Sequence, residues 1–518
     1  MKKPCLKKTQ IERKIPKMLF FSTRDLTRKK YTSAQIIKQG LADDGGLFVP
    51  ESIPTLTNED LVKLTSLSYS ERAAYILSLY LSDFTYEELL ADCSAAYSAT
   101  SFPGGAAPVV RLSDKQSVLE LWHGPTAAFK DMALQIMPRL LSRSLLKTGE
   151  TRTALILVAT SGDTGKAALE GYRDIPGIKI IVFYPVDGVS TVQKLQMATQ
   201  AGENVEVCAI EGNFDDAQSG VKQLFADASL ARLLNEKNTF LSSANSINWG
   251  RLAPQIVYYT SAYCDMVKSG AISMGDEIDV CVPTGNFGNI FAAYLAKSMG
   301  LPLGKLICAS NSNHILTDFL RTGVYDRNRD FYLTMSPSMD ILISSNLERL
   351  LYFVAGQEKV RGYMEQLAQT GRYEVGQEIL DKIHETFVGY FSNEENTART
   401  IQETYRDKKY LIDTHTAVAA YCANAYAADH PEDNTPMLVV STASPYKFAD
   451  HVYRAVSGTD ATSNLDALQE LTAFTSVEIP YPLKGLAERK VRFSKTISEN
   501  EMKEAVLTFA NSKKTTSR

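Results

Sequence analysis

The sequence predicts an α/β protein built on parallel sheets. Three observations predict it. Short apolar runs rich in β-branched residues recur through the chain, at 154–159, 179–184, 205–210, 279–282, 306–310 and 437–441. Helix-like stretches lie between most of them, at 165–172, 191–199, 214–230 and 290–299. Two of the runs end in loops of glycine and hydroxyl residues that lead straight into a helix. Strand, loop, helix, strand is the order of parallel sheets joined by right-handed crossovers.

Taken from the start, the first 17 residues stand apart. Lys2, Lys3, Lys7, Lys8, Arg13, Lys14 and Lys17 face a single acid, Glu12. No apolar core follows, so this is no secretory signal. The reading is a disordered basic tail, or an upstream start codon with the true start at Met18. Residues 60–100 and 340–430 are rich in helical periodicity and read as appended or inserted segments. Ser498 and Glu501 form a capping box that opens a final helix through Phe509. Residues 512–518 read as a solvated tail.

Composition narrows the function. The chain has 518 residues, 44% hydrophobic and 22% charged, which excludes disorder as its main state. Net charge is −4, so neither nucleic acid nor an anionic membrane is the expected partner. No apolar run is long enough to cross a bilayer. Seven cysteines without close pairs argue against a disulfide framework and for a reducing cytoplasm. The six histidines are dispersed, and no metal site is expected.

Three segments carry chemistry. The first runs from Leu119 to Asp131. A strand ends at Trp122, Gly124-Pro125 turns, and Lys130 follows Ala127, Ala128 and Phe129. A lysine among apolar neighbours loses solvation, which lowers its pKa and makes it a usable nucleophile or base. The helix-like run 131–141 continues beyond it.

The second segment delivers Thr160-Ser161-Gly162-Asp163-Thr164-Gly165 from a buried strand to a helix start, where N–H groups and hydroxyls favour an anion. A nucleotide P-loop would need glycine at Thr160 and a hydroxyl at Ala167, so ATP binding is rejected. The third, Pro283-Thr284-Gly285-Asn286-Phe287-Gly288-Asn289, is again a strand entering a helix. Gly285 and Gly288 allow close approach of a ligand to the backbone. The dinucleotide fingerprint is absent. Two anion-ready loops around a sheltered amine suit a phosphorylated aldehyde cofactor on the lysine beside a carboxylate-bearing substrate.

With these residues in view, the chain resembles the threonine synthases, pyridoxal-phosphate enzymes of the tryptophan synthase β-like fold. The resemblance rests on the stretch from His123 to Asp131, on Ala159 to Gly165, Ser243 to Asn248, Pro283 to Asn289 and Ser441-Thr442-Ala443, and on Gly45 to Pro50. It runs from about Met18 to the C-terminal region in the family's motif order, nearest its longer bacterial and fungal branch. It implies a two-lobed α/β fold of type II with parallel-sheet cores and a mixed N-terminal domain. The expected division is a leader at 1–17, an N-terminal domain at 18–110 and a first cofactor lobe at 111–245 with Lys130 and the Ser161 to Gly165 loop. A second lobe follows at 246–485 with the Gly285 to Asn289 loop, Thr442 and a helical insertion near 340–430. A C-terminal helix and tail occupy 486–518.

The resemblance also implies roles. Lys130 would form a Schiff base with pyridoxal 5'-phosphate and shuttle protons. Gly285, Asn286, Phe287, Gly288 and Asn289 would hold the cofactor phosphate, and Thr442 would face its pyridine nitrogen. Ser161, Gly162, Asp163 and Thr164 would line the place of the substrate carboxylate. Asn245, Ser246 and Arg251 would meet a substrate phosphate, arginine being suited to a two-pronged grip. The implied reaction converts O-phospho-L-homoserine and water to L-threonine and phosphate, in a cytoplasmic monomer or homodimer. A threonine dehydratase, a phospho-amino-acid lyase on the same fold and a non-catalytic binder of a phosphorylated metabolite stand as alternatives. A nicotinamide dehydrogenase ranks behind them. Thr284 stands where many relatives carry serine, Ala127 is smaller than usual, and Trp249-Gly250 is an unusual approach to Arg251.

Overall fold

A computed structural model describes residues 17–186, 189–212 and 214–512. The expected leader, but for Lys17, and nearly all of the tail lie outside the described residues. In chain order the strands among those residues are β1 (Phe20–Ser22), β2 (Phe48–Pro50), β3 (Val109–Arg111), β4 (Gln116–Glu120), β5 (Thr153–Ala159), β6 (Ile178–Pro185), β7 (Val205–Ile210), β8 (Thr239–Ser243), β9 (Ile278–Pro283), β10 (Leu303–Ser310), β11 (Val324–Asp326), β12 (Arg372–Glu374), β13 (Phe387–Phe391), β14 (Met437–Ser441) and β15 (Thr496–Ile497).

Two parallel sheets form the body. One has the order β15-β7-β6-β5-β8, the other β13-β10-β9-β14-β4-β3, with only β3 antiparallel to its neighbour. Every residue of β6 and β9 is buried, as expected of strands covered on both faces. Residues 18–97 add the antiparallel pair β1–β2 and four helices, each opened by a capping box at Thr32, Thr57, Ser68 or Thr85. This module packs on the long helix Trp249–Lys268. Trp249 meets the rings of Phe20 and Tyr80, and buried Arg72 bonds Ser261 and Asp265.

Sheet membership departs from the order of residues along the chain. β4, which leads to Lys130, lies in the six-stranded sheet beside β14, not with β5 and the 161–165 loop. Five consecutive residue pairs match from Met437–Gln116 to Ser441–Glu120, and local chain order says nothing about such long-range pairing. The 340–430 region is not purely helical. It carries β12 and also β13, the edge strand on β10. The C-terminal segment is no mere appendage either, because β15 extends the five-stranded sheet at β7.

Local breaks also have physical reasons. The expected helix 214–230 is two, Phe214–Ala226 and Ala228–Glu236. Asp227 caps the second by accepting from Ser229 and Leu230 N–H. The run 131–141 divides into Asp131–Leu134 and Met137–Lys147, with Pro138, which has no N–H, in the first turn of the second. At the far end the Ser498–Glu501 capping box is present, and the helix Met502–Asn511 follows it. Its final turn is held by Lys179 of β6. The Lys179 ammonium donates to the carbonyls of Phe509 (3.1 Å), Ala510 (3.0 Å) and Ser512 (2.7 Å).

Candidate active site

Three neighbouring strands of the six-stranded sheet deliver the centre of the site from their C-terminal ends. β9 leads to Gly285, β14 to Thr442 and β4 to Lys130. The last two connections are tied together. Leu121 N–H donates to Ser441 O (3.0 Å), Phe129 N–H to Thr442 O (2.8 Å) and Ser444 N–H to Ala127 O (3.0 Å). β5 of the other sheet brings the 160–165 loop to the same place. A cleft lies between them.

The turn before Lys130 is built without slack. A Cβ at Gly124 would stand 2.5 Å from the Asp131 carboxylate, so only glycine fits. Ala127 takes φ +60°, a conformation that costs any residue with a Cβ about 1 kcal/mol or more. The Asp131 carboxylate accepts from Thr126 N–H and Oγ1, both at 2.8 Å. Burial pushes this carboxyl up to about 7 despite those bonds. Lys130 itself lines the cleft beside Phe129, with Nζ 4.2 Å from the ring centre. Burial, then the Arg251 charge, lowers the Lys130 amine to about 8, with Asp163 pulling the other way. A neutral amine is thereby accessible near neutral pH.

The 285–289 loop opens the helix Gly288–Ser298. Its N-cap, Phe287, sits at φ +59° and offers no side-chain cap. The first N–H groups of such a helix lack intrahelical acceptors and favour an anion. A Cβ on Gly285 would meet Ser338 O at 2.9 Å, so a strap over 336–346 lies directly against the loop. The strap fastens by Ser344 Oγ to Gly285 O (2.7 Å) and by Asn346 N–H to Asn286 O (3.1 Å). Asn289 Oδ1 accepts hydroxyls from Tyr258 and Tyr259, while its Nδ2 is buried and unpartnered.

The opposite wall holds Asp163, Ser246 and Arg251. Arg251 is 2% exposed, its guanidinium donates to Ala244 O (2.6 Å), and its Nε has no partner. Asp163 receives Gln193 Nε2 (2.8 Å) and lies 2.9 Å from the buried ammonium of Lys447. Burial raises its carboxyl, but Lys447, Gln193 and His415 together hold it below the ordinary value.

Of the residues singled out from sequence, Lys130, Asp163, Ser246, Arg251, Gly285, Asn286, Phe287, Gly288, Asn289 and Thr442 line one cleft. Ser161, Gly162, Thr164 and Asn245 do not line it. Gly162 packs against Gln193 at φ +134°, the Ser161 and Thr164 side chains are half-buried, and Asn245 turns its carbonyl to Asn248 N–H. Sequence reasoning missed Gln255, Ser338, Met339 and His415, which share the lining. His415 Nε2 accepts from Ser338 N–H (3.2 Å), which leaves Nδ1 to donate to Asp413 (3.1 Å). It missed Lys447 too, although a lysine between Tyr446 and Phe448 carries the same sheltered-amine signal as Lys130.

A buried amine with a lowered pKa, a bare glycine cradle at a helix start and orphaned donors on Asn289 and Arg251 fit pyridoxal phosphate. This fold and site define a pyridoxal-phosphate-dependent enzyme, and the family described as "Pyridoxal-phosphate dependent enzyme" matches residues 104–443. "Threonine synthase N terminus" matches 19–97 and "Threonine synthase, C-terminal" matches 416–506. The chain is 39% identical to threonine synthase of Pseudomonas aeruginosa over 432 residues, 82% of this chain and 87% of that one. It is 42% identical to human Threonine synthase-like 1 over 440 residues, 82% of this chain but only 58% of the human protein's length. The crystal structure of PLP-bound threonine synthase from Brucella melitensis superposes with a TM-score of 0.84 at 36% identity, covering 96% of this chain and 100% of that one. The chain belongs to the threonine synthase family.

Proposed function

We propose that the protein converts O-phospho-L-homoserine and water to L-threonine and phosphate. The observation that carries this reading is one cleft lined by the Lys130 amine and by two anion-ready sets of residues. One is the 285–289 helix start with Asn289 Nδ2, and the other is Ser246 with Arg251. One set suits the cofactor phosphate and the other a phosphorylated substrate.

Pyridoxal phosphate, when bound, supplies an electron sink for the carbanion left by proton loss at the substrate α carbon. In this reading Lys130 is the residue that would carry the cofactor, and Thr442 would lie against its ring. Lys130 would take the proton from Cα and later return one, because a neutral amine is available near its pKa. A proton leaves Cβ as the Cγ–O bond breaks and its electron pair departs with phosphate. Cγ then gains a proton, the water oxygen bonds to Cβ with release of a water proton, and Cα regains its proton, which balances as threonine plus phosphate. The buried Arg251 guanidinium, with Ser246, steadies the departing phosphate. Asp163 brings the start of the helix Asp163–Tyr172 to the cleft, the end of this loop that lies nearest a substrate carboxylate in this reading. The strap over Gly285 shields the cleft from bulk water, which suppresses hydrolysis of unsaturated species. A cytoplasmic location belongs to the same reading, supported by six described cysteines that are free and buried.

The test is an end-point assay of the purified protein with pyridoxal phosphate and O-phospho-L-homoserine, measuring threonine, 2-oxo acid and phosphate together. Threonine equal to phosphate is the expected result. Oxo acid with phosphate and no threonine would make the protein a lyase of the same substrate.

A further inference from the structure

We propose that Lys447 is a positioning residue: its ammonium fixes the Asp163 carboxylate, offsets its charge, and through Asp163 sets the protonation of Lys130. The inference deepens the reading above and rests on Lys130 as the lysine that carries the cofactor.

Lys447 is wholly buried, five residues beyond Thr442 in the short turn Pro445–Phe448. A buried ammonium is costly unless every proton finds an acceptor. Three acceptors meet it. They are Asp163 Oδ1 at 2.9 Å, Gln196 Oε1 at 2.5 Å and Thr126 O at 3.3 Å. Each lies on a different segment of the chain, and Asp163 lines the cleft. Asp163 opens the helix Asp163–Tyr172, Gln196 lies on the helix Thr191–Ala198, and Thr126 belongs to the turn that presents Lys130. One side chain thus ties three segments from both sheets.

The charge arrangement gives the knot a purpose. A carboxylate lining a cleft for an anionic substrate is an electrostatic liability. It is also the natural counter-ion for Lys130, and an unopposed Asp163 would hold that amine as an ammonium. Lys447, the Gln193 amide at 2.8 Å and Ser338 Oγ at 3.5 Å keep the carboxylate occupied. The titratable and charged groups that act on this set are Arg251 on Lys130, His415 on Asp163, and Asp131 and Lys166, which both interact with Lys447.

The test uses full-length protein freed of cofactor. Pyridoxal phosphate is added across a pH series, the rate of imine formation is followed by visible absorbance, and the modified lysine is located by borohydride reduction and peptide mass. The parent, Lys447→Met, Asp163→Asn and the double variant are compared. Lys447→Met should raise the pH midpoint by about one pH unit or more, because Asp163 then turns its charge on Lys130. Asp163→Asn should lower it, because the Lys447 charge is left unopposed. The double variant should return to the parent midpoint. Loss of a merely structural contact would move both single variants the same way, and that result, or four equal midpoints, overturns the proposal. If Lys447→Met fails to fold, the step from Asp163→Asn to the double variant must still raise the midpoint. A parent tagged at a lysine other than Lys130 would overturn the cofactor assignment itself, a separate failure.

Discussion

Tyr259 donates its hydroxyl hydrogen to Oδ1 of Asn289 across 2.6 Å, and this bond decides which way the Asn289 amide faces. With Tyr258 on the same oxygen, both lone pairs are taken. Nδ2 is left as a buried donor without an acceptor, in the wall of the cleft. A donor kept bare at this cost is a donor reserved for a ligand.

Asn289→Ala is expected to weaken pyridoxal phosphate binding by about tenfold to a hundredfold, the worth of a hydrogen bond to a charged group. Asn289→Asp should weaken it more, since it turns a donor into a negative charge. Equilibrium dialysis of cofactor against the three proteins gives the ranking. Equal affinities would remove Asn289 from the cofactor site.

Lys130→Ala is expected to abolish threonine formation and the visible band of lysine-bound cofactor, with the far-ultraviolet circular dichroism unchanged. Turnover near the parent rate would show that another amine does the work.

Gly285→Ala places a methyl 2.9 Å from Ser338 O, and the strap must move. Overpacking of this kind costs about 1–3 kcal/mol. The expected outcome is faster loss of cofactor on gel filtration with a modest fall in melting temperature. A variant that retains cofactor like the parent would show that the strap does not bear on the loop.

Asp279 gives a pH prediction remote from the cleft. It is 2% exposed at the start of β9. Burial, reinforced by Asp433 and Glu277, pushes its carboxyl up to about 7. A folded pKa above the unfolded one means that the folded form holds its proton longer. The contribution is most favourable below the ordinary aspartate pKa and is lost as pH rises toward 7. Asp279→Asn should therefore stabilise the protein by about 2–4 kcal/mol at pH 7.5 and have little effect at pH 4. Urea unfolding at the two pH values checks the sign. Equal effects at both would rule out the buried proton.

Much of the site was legible because its chemistry sits on short, continuous stretches. Lys130 betrays itself by its apolar neighbours, and Gly285 and Gly288 by their place between a strand and a helix. The family's motif order then supplied Thr442, which nothing in its own neighbourhood marks. What was not legible depends on pairing over long distances. β4 reads as the start of a first lobe because β5 follows it, yet its partner β14 lies more than three hundred residues away. Ser338, Met339 and His415 belong to ordinary polar and helical stretches, and only the folded strap brings them to Gly285. The hydroxyls that orient Asn289 come from a helix whose tyrosines look like any buried aromatic pair.

The seam at β15 bears on how the protein is made. A ribosome releases β5 to β8 about 250 residues before Thr496–Ile497. Through synthesis of the whole second half, β7 presents an open edge, and the carbonyls that cap onto Lys179 do not yet exist. Four of its five strands are consecutive, yet the fifth comes only after every strand of the other sheet. A chain lacking Thr496–Ile497 would leave the β7 edge unpaired and open to association with another chain.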